Sequence, residues 1–335
     1  MSKKRRRNIA VVVTLFLVAG CFGAWLYVGL RPVSTRESPK IYVRYESPTA
    51  LSTVLKDLEA QKIVRSASAT QMLAWFMRMD RTVLSGSYSV GPGQNGGQIL
   101  LELRKPIRQI VRLPETNWAK RTANVLEQHH VAKAADYLAL VHDPQEFAND
   151  VEFPLPKDSL EGYLYPDRYD LPPLYGARRV ILKQLQAFQK KIWDAKDKPK
   201  DLNRTLILAS LVQLEAGKDV DRPMIAGVIE NRLKRKMPLQ IDATILFALQ
   251  KWRRLKFKDY RSVKSPYNTY LVKGLPPGPI CSPDEKDVEA AMHPAHHNYL
   301  YYVAMPDGES IYSATYKEHL KNIKLRKSAL RAAGS

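Results

Sequence analysis

Cysteine is almost absent from this chain. Only Cys21 and Cys281 occur in 335 residues, and Cys21 falls inside a long apolar run. The rest of the chain holds a single thiol, which excludes a disulfide-built framework. Acidic residues are also in short supply: 33 Asp and Glu stand against 53 Lys and Arg, a formal net charge of +20. Lys3, Lys4, Arg5, Arg6 and Arg7 carry five of these charges, so an excess of +15 remains beyond them. Such an excess suits a nucleic acid, an anionic membrane surface or an anionic polymer. No zinc finger, basic zipper or RNA-binding signature is present, so no nucleic acid partner is expected. Metal-ligand spacing is missing as well. His293, His296 and His297 match no common zinc pattern, and Pro294 breaks the helix that would align them. Cys281 has no base paired with it in the sequence, which argues against a thiol nucleophile. Neither a metal nor a cofactor is expected.

What remains is ordinary: 45% hydrophobic and 26% charged residues, enough to bury a core. The length suggests two domains, or one large domain with additions. Ile9 to Leu30 is a run of 22 residues without a charge. At ~1.5 Å per residue it spans roughly 33 Å, enough to cross a hydrocarbon core of about 30 Å. The five basic residues before it place the N-terminus in the cytoplasm, and Trp25 and Tyr27 lie where an outer interfacial belt is expected. Val18-Ala-Gly-Cys21 also fits a lipobox in form, but a cleaved signal turns polar after the cysteine, and Phe22 to Leu30 stays apolar. An uncleaved single-pass anchor is the favoured reading.

Residues 31–40, with Pro32, Ser34, Thr35, Ser38 and Pro39, read as a linker. Ile41 to Arg44 is a strand candidate. Ser47 and Pro48 are expected to open a helix with Leu51, Val54, Leu55 and Leu58 on one face. A second helix over 67–79, a strand at Gly86 to Val90, a helical turn at Ile99 to Leu103 and a strand at Ile107 to Leu113 follow. Asn117 to Phe147 reads as mostly helical, and Ala177 to Ala195 as an amphipathic basic helix.

The stretch from Thr205 to Thr244 organises the rest. Leu206, Ile207, Leu208, Leu211, Val212 and Leu214 make its first segment apolar on nearly every side, as in a buried helix. Gly217 is expected just past the helix end in a left-handed conformation. Glu215 then sits on the last turn, facing the negative end of the helix dipole with little water nearby. Both conditions raise a carboxyl pKa, towards an acid that keeps its proton near neutral pH. A glutamate near a helix end is more often simply solvated, so this segment alone does not establish catalysis. Ordinary glycosidases need a second carboxylate. The candidates here are Asp219, Asp221, Glu230 and Asp242. Asp221 precedes Arg222-Pro223 and suits helix capping, Glu230 suits a structural pairing, and Asp242 is the best second polar group.

Several strings then recur together: Leu160-Glu-Gly-Tyr-Leu-Tyr-Pro-Asp167, Leu239-Gln-Ile-Asp-Ala-Thr244, Ser265-Pro-Tyr-Asn-Thr-Tyr270 and Gly274-Leu-Pro-Pro-Gly-Pro-Ile280. In this order and spacing, from about Glu161 to Leu320 with a weaker match upstream, the chain resembles the endolytic murein transglycosylases of the YceG-like family. In that family the first helix reads roughly Ala-Ser-Ile-Val-Glu-Lys-Glu-Thr and its second glutamate is catalytic. The resemblance therefore implies Glu215 as the catalytic acid, with Gln213 in place of the other glutamate and Ala216 in place of the threonine. It implies one acid that first protonates the glycosidic oxygen between N-acetylmuramic acid and N-acetylglucosamine. The same group then takes the proton of the muramoyl C6 hydroxyl, which closes a 1,6-anhydro ring. No water is consumed, so no second carboxylate is needed.

The polar and aromatic lining expected around that acid is Gln240, Asp242, Thr244, Tyr267, Asn268 and Tyr270. Tyr267 and Tyr270 serve equally well as core rings, and Asn268 as a turn residue. Tyr163 and Tyr165 replace family phenylalanines; they either pack as an aromatic hairpin or offer hydroxyls to sugar. The proline-rich 274–280 loop is expected to wall the cleft, and Tyr299 to Ala304 to pair with Ile311 to Ser313 beside it.

The expected fold class is α+β: an N-terminal transmembrane helix, a small LysM-like α+β domain, and a mainly α catalytic domain with a short sheet. The boundaries are 1–8 basic tail, 9–30 transmembrane helix, 31–40 linker, 41–115 LysM-like domain, 116–325 catalytic domain and 326–335 basic tail. The resemblance implies peptidoglycan glycan strands as substrate, whose stem-peptide carboxylates suit a basic cleft. It also implies an inner-membrane location with the catalytic domain outside the cytoplasm, a role in terminating glycan elongation, and contacts with peptidoglycan synthases. Gln213, Ile241 and Ala243 depart from the family pattern (glutamate, threonine, proline). They keep a second class open, a catalytically silent glycan-binding scaffold of the wall-synthesis machinery.

Overall fold

The computed structural model describes residues 3–34 and 38–333. The expected linker over 31–40 includes 35–37, and the expected basic tail includes 334–335; these lie outside the described residues. Helices and short two-stranded sheets alternate along the chain, in keeping with an α+β class.

Two compact units form. The first comprises residues 1–109 and 170–175. It opens with α1 (Lys3–Leu30), in which Ala10–Leu30 is long and apolar enough to cross a membrane. Strands β1 (Ile41–Tyr45) and β2 (Thr49–Ala50) precede α2 (Leu51–Ala60) and α3 (Ala67–Phe76). Then come β3 (Thr82–Val83), β4 (Gly86–Val90) and α4 (Gly96–Glu102). β1 pairs antiparallel with β4, Val43 opposite Tyr88, while β2 pairs with β3. The i, i+3, i+4, i+7 stripe of α2 does what its spacing predicts: Leu51, Val54, Leu55 and Leu58 are buried with Val43, Tyr88, Val90 and Ile99 in one core. Ser47 and Pro48 do not start that helix. It begins at Leu51 without a side-chain cap, because β2 claims the residues between.

The expected strand from Ile107 is shorter and belongs elsewhere. β5 (Ile110–Leu113) lies in the second compact unit and pairs with β6 (Asp167–Asp170). Residues 170–175 return to the first unit, where the Ser87 hydroxyl donates to the Pro173 carbonyl and the Arg44 guanidinium lies 5.2 Å from the Tyr175 ring centroid.

The second unit comprises residues 110–169 and 176–335. After β5 it holds α5 (Ala119–Gln128), α6 (Ala134–Val141), a 3-10 turn at Pro144–Phe147, β6, and α7 (Ala177–Phe188) with a π-turn at Gln189–Trp193. Next come α8 (Leu202–Glu215), α9 (Asp221–Lys234), α10 (Asp242–Leu249), the short α11 (Asp259–Ser262) and α12 (Glu285–Met292). Strands β7 (Tyr301–Ala304) and β8 (Ser310–Ser313) pair antiparallel, and α13 (Tyr316–Ala333) packs on them. Helix α13 runs through residues 326–333, which were expected as a tail.

Helix α8 is the axis of this unit. Asp201 caps its first turn by accepting from the Arg204 N–H. From Leu206 to Val212 every residue is buried, and α9, α10 and α12 pack around it. A helix so enclosed presents polar chemistry only at its end, where Glu215 lies. The 274–280 loop is fastened to α8 at Ser210, whose hydroxyl donates to the Ile207 carbonyl and accepts from the Ile280 N–H at 3.1 Å. Gly162 has φ +85°, and a Cβ there would come within 2.4 Å of Pro279, so the Glu161-Gly162 turn closes on the same loop. Tyr163 and Tyr165 are buried, and the Tyr163 ring packs on Phe153 and Phe188, which favours the packed-hairpin reading.

Replacing Ser210 by alanine leaves the buried Ile280 N–H without its acceptor. We expect Ser210→Ala to cost about 1–3 kcal/mol. It should lower the urea midpoint with the slope unchanged. An unchanged midpoint would show that the loop does not depend on α8.

Candidate active site

Glu215 ends α8 and is half-buried. Its Oε2 accepts from the Tyr302 hydroxyl of β7 at 2.7 Å. Among the described residues no hydrogen bond reaches Oε1, so that oxygen remains available. Burial pushes the carboxyl up from 4.5 to about 7, the Tyr302 hydrogen bond opposes this, the Asp242 charge adds to it, and the Arg232 charge opposes it. Burial and the Asp242 charge therefore outweigh two contacts that favour the ionised form. Tyr302 is half-buried; desolvation and the neighbouring carboxylate raise its pKa and keep it a neutral donor.

The turn after α8 differs from expectation. Ala216 is extended, at φ −76° and ψ 119°, and Gly217 is absent from the left-handed region. Gly217 answers a spatial need instead, since a Cβ there would lie 3.3 Å from the Gly308 carbonyl in the β7–β8 turn. Asp221 is the first residue of α9 but makes no cap. Its carboxylate accepts from Ser310 at 3.1 Å and Tyr312 at 2.6 Å, both on β8. Tyr302 and Tyr312 are cross-strand partners. The hairpin therefore grips the end of α8 with one strand and the start of α9 with the other.

Arg232 is the second organiser. From α9 its Nε donates to the Leu300 carbonyl at 2.7 Å and its Nη1 to the Leu239 carbonyl at 2.6 Å. One planar fork thus ties the entry of β7 to the segment that leads into α10. At the start of α10, Asp242 is exposed and accepts from Tyr270 at 2.7 Å and from Tyr260 at 3.3 Å.

The six expected lining residues divide by burial. Asp242 and Tyr270 come to the Glu215 environment, where the charges of both carboxyls act on the Tyr270 hydroxyl. Gln240 is exposed at φ +54°, on the approach to α10, its backbone N–H donating to the Thr269 carbonyl. Thr244 is fully buried; its hydroxyl donates to Ile241 O and meets the Thr269 hydroxyl at 3.0 Å. Asn268 is also fully buried, its amide donating to the Tyr260 and Val263 carbonyls. Both spend their polar groups inside the protein, bracing the turns that present Asp242, Tyr260 and Tyr270. Tyr267 packs on Phe247 at 4.7 Å, with Trp118 beyond.

Tyr302, Arg232 and Tyr260 were not singled out from the sequence. Tyr302 lies in the 299–304 run expected to pair beside the cleft, and Arg232 lies two residues after Glu230, so each stood near a residue the sequence marked without a role of its own. Glu230 pairs with Arg204, as expected of a structural residue. Cys281 is buried, with its thiol pKa raised, so it is a poor nucleophile. The His297 ring is engaged by Asn231, Met224 O and the Tyr299 N–H.

Residues 43–325 match the YceG-like family, extending well upstream of the motif-bearing segment. An endolytic murein transglycosylase of Bacillus subtilis (strain 168) is 31% identical over 327 residues, covering 89% of each chain. One from Streptococcus pneumoniae (serotype 2, strain D39) is 28% identical, covering 94% of this chain and 64% of its own length. A crystal structure of a YceG-like protein from Listeria monocytogenes shares 31% identity at a TM-score of 0.54, covering 85% of this chain and 99% of that one. With the family match spanning most of the chain and the end of α8, the β7–β8 hairpin and the α10 entry all within it, this protein belongs to the YceG-like family.

Proposed function

We propose that the protein is an endolytic murein transglycosylase that cuts peptidoglycan glycan strands and leaves 1,6-anhydro-N-acetylmuramic acid ends. The observation that carries this reading is the Glu215 carboxyl, poised near pH 7 with one oxygen held by Tyr302 and the other unengaged. In its protonated form Glu215 gives its proton to the glycosidic oxygen as the bond from C1 of the muramoyl unit breaks. The carboxylate so formed then accepts the C6 hydroxyl proton while the C6 oxygen bonds to C1. The two transfers cancel, and Glu215 ends protonated. Tyr302 donates to the intermediate carboxylate, whose charge would otherwise be costly in that half-buried place. Because the nucleophile belongs to the substrate, positioning takes the place of a bound water. Asp242 and Tyr270 are assigned to orienting the sugar, with Gln240 at the rim.

The same reading places α1 across the inner membrane with the N-terminus cytoplasmic and the second unit outside. The cut terminates glycan elongation, beside peptidoglycan synthases as partners. The LysM-like reading of the first unit rests on its β1-α2-α3-β4 order with β1 and β4 antiparallel. Digestion of purified glycan strands tests the activity: anhydro-muramoyl ends support it, reducing ends would mean a hydrolase, and no ends a scaffold.

Two further outcomes are expected. Glu215→Gln keeps the size of the side chain and a partner for Tyr302 but moves no protons. Turnover should fall ~10²- to 10⁴-fold or more. Strand binding should change little. Near-normal turnover in this variant, with turnover abolished in Asp242→Asn, would reverse both assignments.

The pH profile gives an independent check. The acid must enter the reaction protonated, so kcat/KM should fall as pH rises through about 7. Asp242→Asn removes a charge that raises the Glu215 pKa and should move this limb to lower pH. Tyr302→Phe removes a bond that lowers it and should move the limb to higher pH. Displacement of both variants in the same direction would sink this account of how Glu215 is poised. The sign for stability follows: Glu215 holds its proton more tightly folded than unfolded, so its contribution is full below 4.5 and is lost as pH rises through about 7.

A further inference from the structure

A second cleft, of 820 Å³, lies over α9 and contains neither Glu215 nor Tyr302. Arg204, Glu230, Lys234 and Arg235 line one side, and His296 and Asn298 the other. Among the described residues its only carboxylate is already engaged, since Glu230 accepts from Arg204 at 2.7 and 3.0 Å. Lys234 and Arg235 are exposed and have no acidic partner among the described residues. The cleft therefore carries two unspent positive charges beside an apolar edge formed by Met292 and Pro294.

Its far wall is pre-formed. A Cβ at Gly227 would come within 2.4 Å of the Ala295 carbonyl, so the 295–298 segment lies directly against the backbone of α9. The Asn231 amide holds that segment by donating to the carbonyls of His297 at 2.7 Å and Tyr299 at 3.0 Å. The wall also leads back to the candidate acid. The Tyr302 ring is 6.4 Å from that of Tyr312, and the Tyr312 ring is 6.4 Å from that of His297. These two steps connect Tyr302 to His297, which itself lines the cleft.

We propose that this cleft is a subsite for stem peptides: Lys234 and Arg235 receive peptide carboxylates on the strand whose glycan is cut at Glu215. A carboxylate matches the unspent cations, and the apolar edge suits short aliphatic peptide side chains. The inference rests on the transglycosylase reading for its substrate.

The test uses the full chain in detergent micelles and two probes: glycan strands carrying their stem peptides, and the same strands stripped by an amidase. Wild type should show a lower KM on peptide-bearing strands, an advantage that shrinks as salt rises. In the Lys234→Ala/Arg235→Ala variant that advantage should fall by about fivefold to tenfold, with turnover of stripped strands unchanged. The charge-preserving Lys234→Arg/Arg235→Lys variant should retain it. An unaltered preference in the alanine variant overturns the proposal. So does an equal loss on both probes, which would assign the cations to the glycan or to another polymer.

Binding of both probes by the Glu215→Gln chain reads the subsite without turnover. A binding preference for peptide-bearing strands together with no cleavage by wild type would overturn the transglycosylase reading and support the subsite. Normal cleavage without any preference would do the reverse.

Discussion

The contact on which the candidate site depends is the hydrogen bond from Tyr302 to Glu215, made across 87 residues of chain. Helix α8 is enclosed by apolar neighbours, and a carboxylate at the end of such a helix is costly unless it is partnered or protonated. The hairpin supplies one partner and leaves the second oxygen unengaged. The acid is thus held in one orientation without being fully neutralised. The cross-strand pair Tyr302 and Tyr312 makes this a matter of register, because a one-residue slip of either strand would turn its hydroxyl to the opposite face.

Arg232 explains why the other side of the site stays in place. Its fork reaches backbone carbonyls on both flanks, Leu300 before β7 and Leu239 before α10, so the positions of Tyr302 and Asp242 are set by one side chain. Its charge also favours the ionised form of Glu215, while burial and Asp242 favour the protonated form. An acid that must donate and then accept a proton gains from such a balance, because neither form is greatly preferred near the working pH.

Burial divides the six expected lining residues into exposed and enclosed ones. Thr244 and Asn268 belong to strings as specific as the one containing Asp242, yet both are sealed inside the turns they brace. Their value lies in geometry: Asn268 ties off the segment that brings Tyr260 and Tyr270 to Asp242. A motif read in one dimension marks which residues matter together. It does not distinguish a side chain that meets substrate from one that holds its neighbour.

Local pattern was enough for several features of this protein. The uncharged run ending at Leu30, the stripe of α2, the buried α8 and the pairing of the two tyrosine-rich segments all follow from spacing and hydropathy. These are short-range properties of the chain. The place of Glu215 was legible for the same reason, since an ionisable group closing an apolar helix stands out in sequence; its reading as the catalytic acid came from the family resemblance. Tertiary packing decided what depends on distant partners. Tyr302, Arg232 and Tyr260 acquire roles only when β7, α9 and α11 converge on α8 and α10. Asp221 was drawn from capping to the hairpin, Gly217 was selected by a neighbouring carbonyl rather than by its own φ, and the strand from Ile110 found its partner in β6. In each case the deciding energy is a hydrogen bond or close contact between residues far apart in the chain, and no local pattern records it.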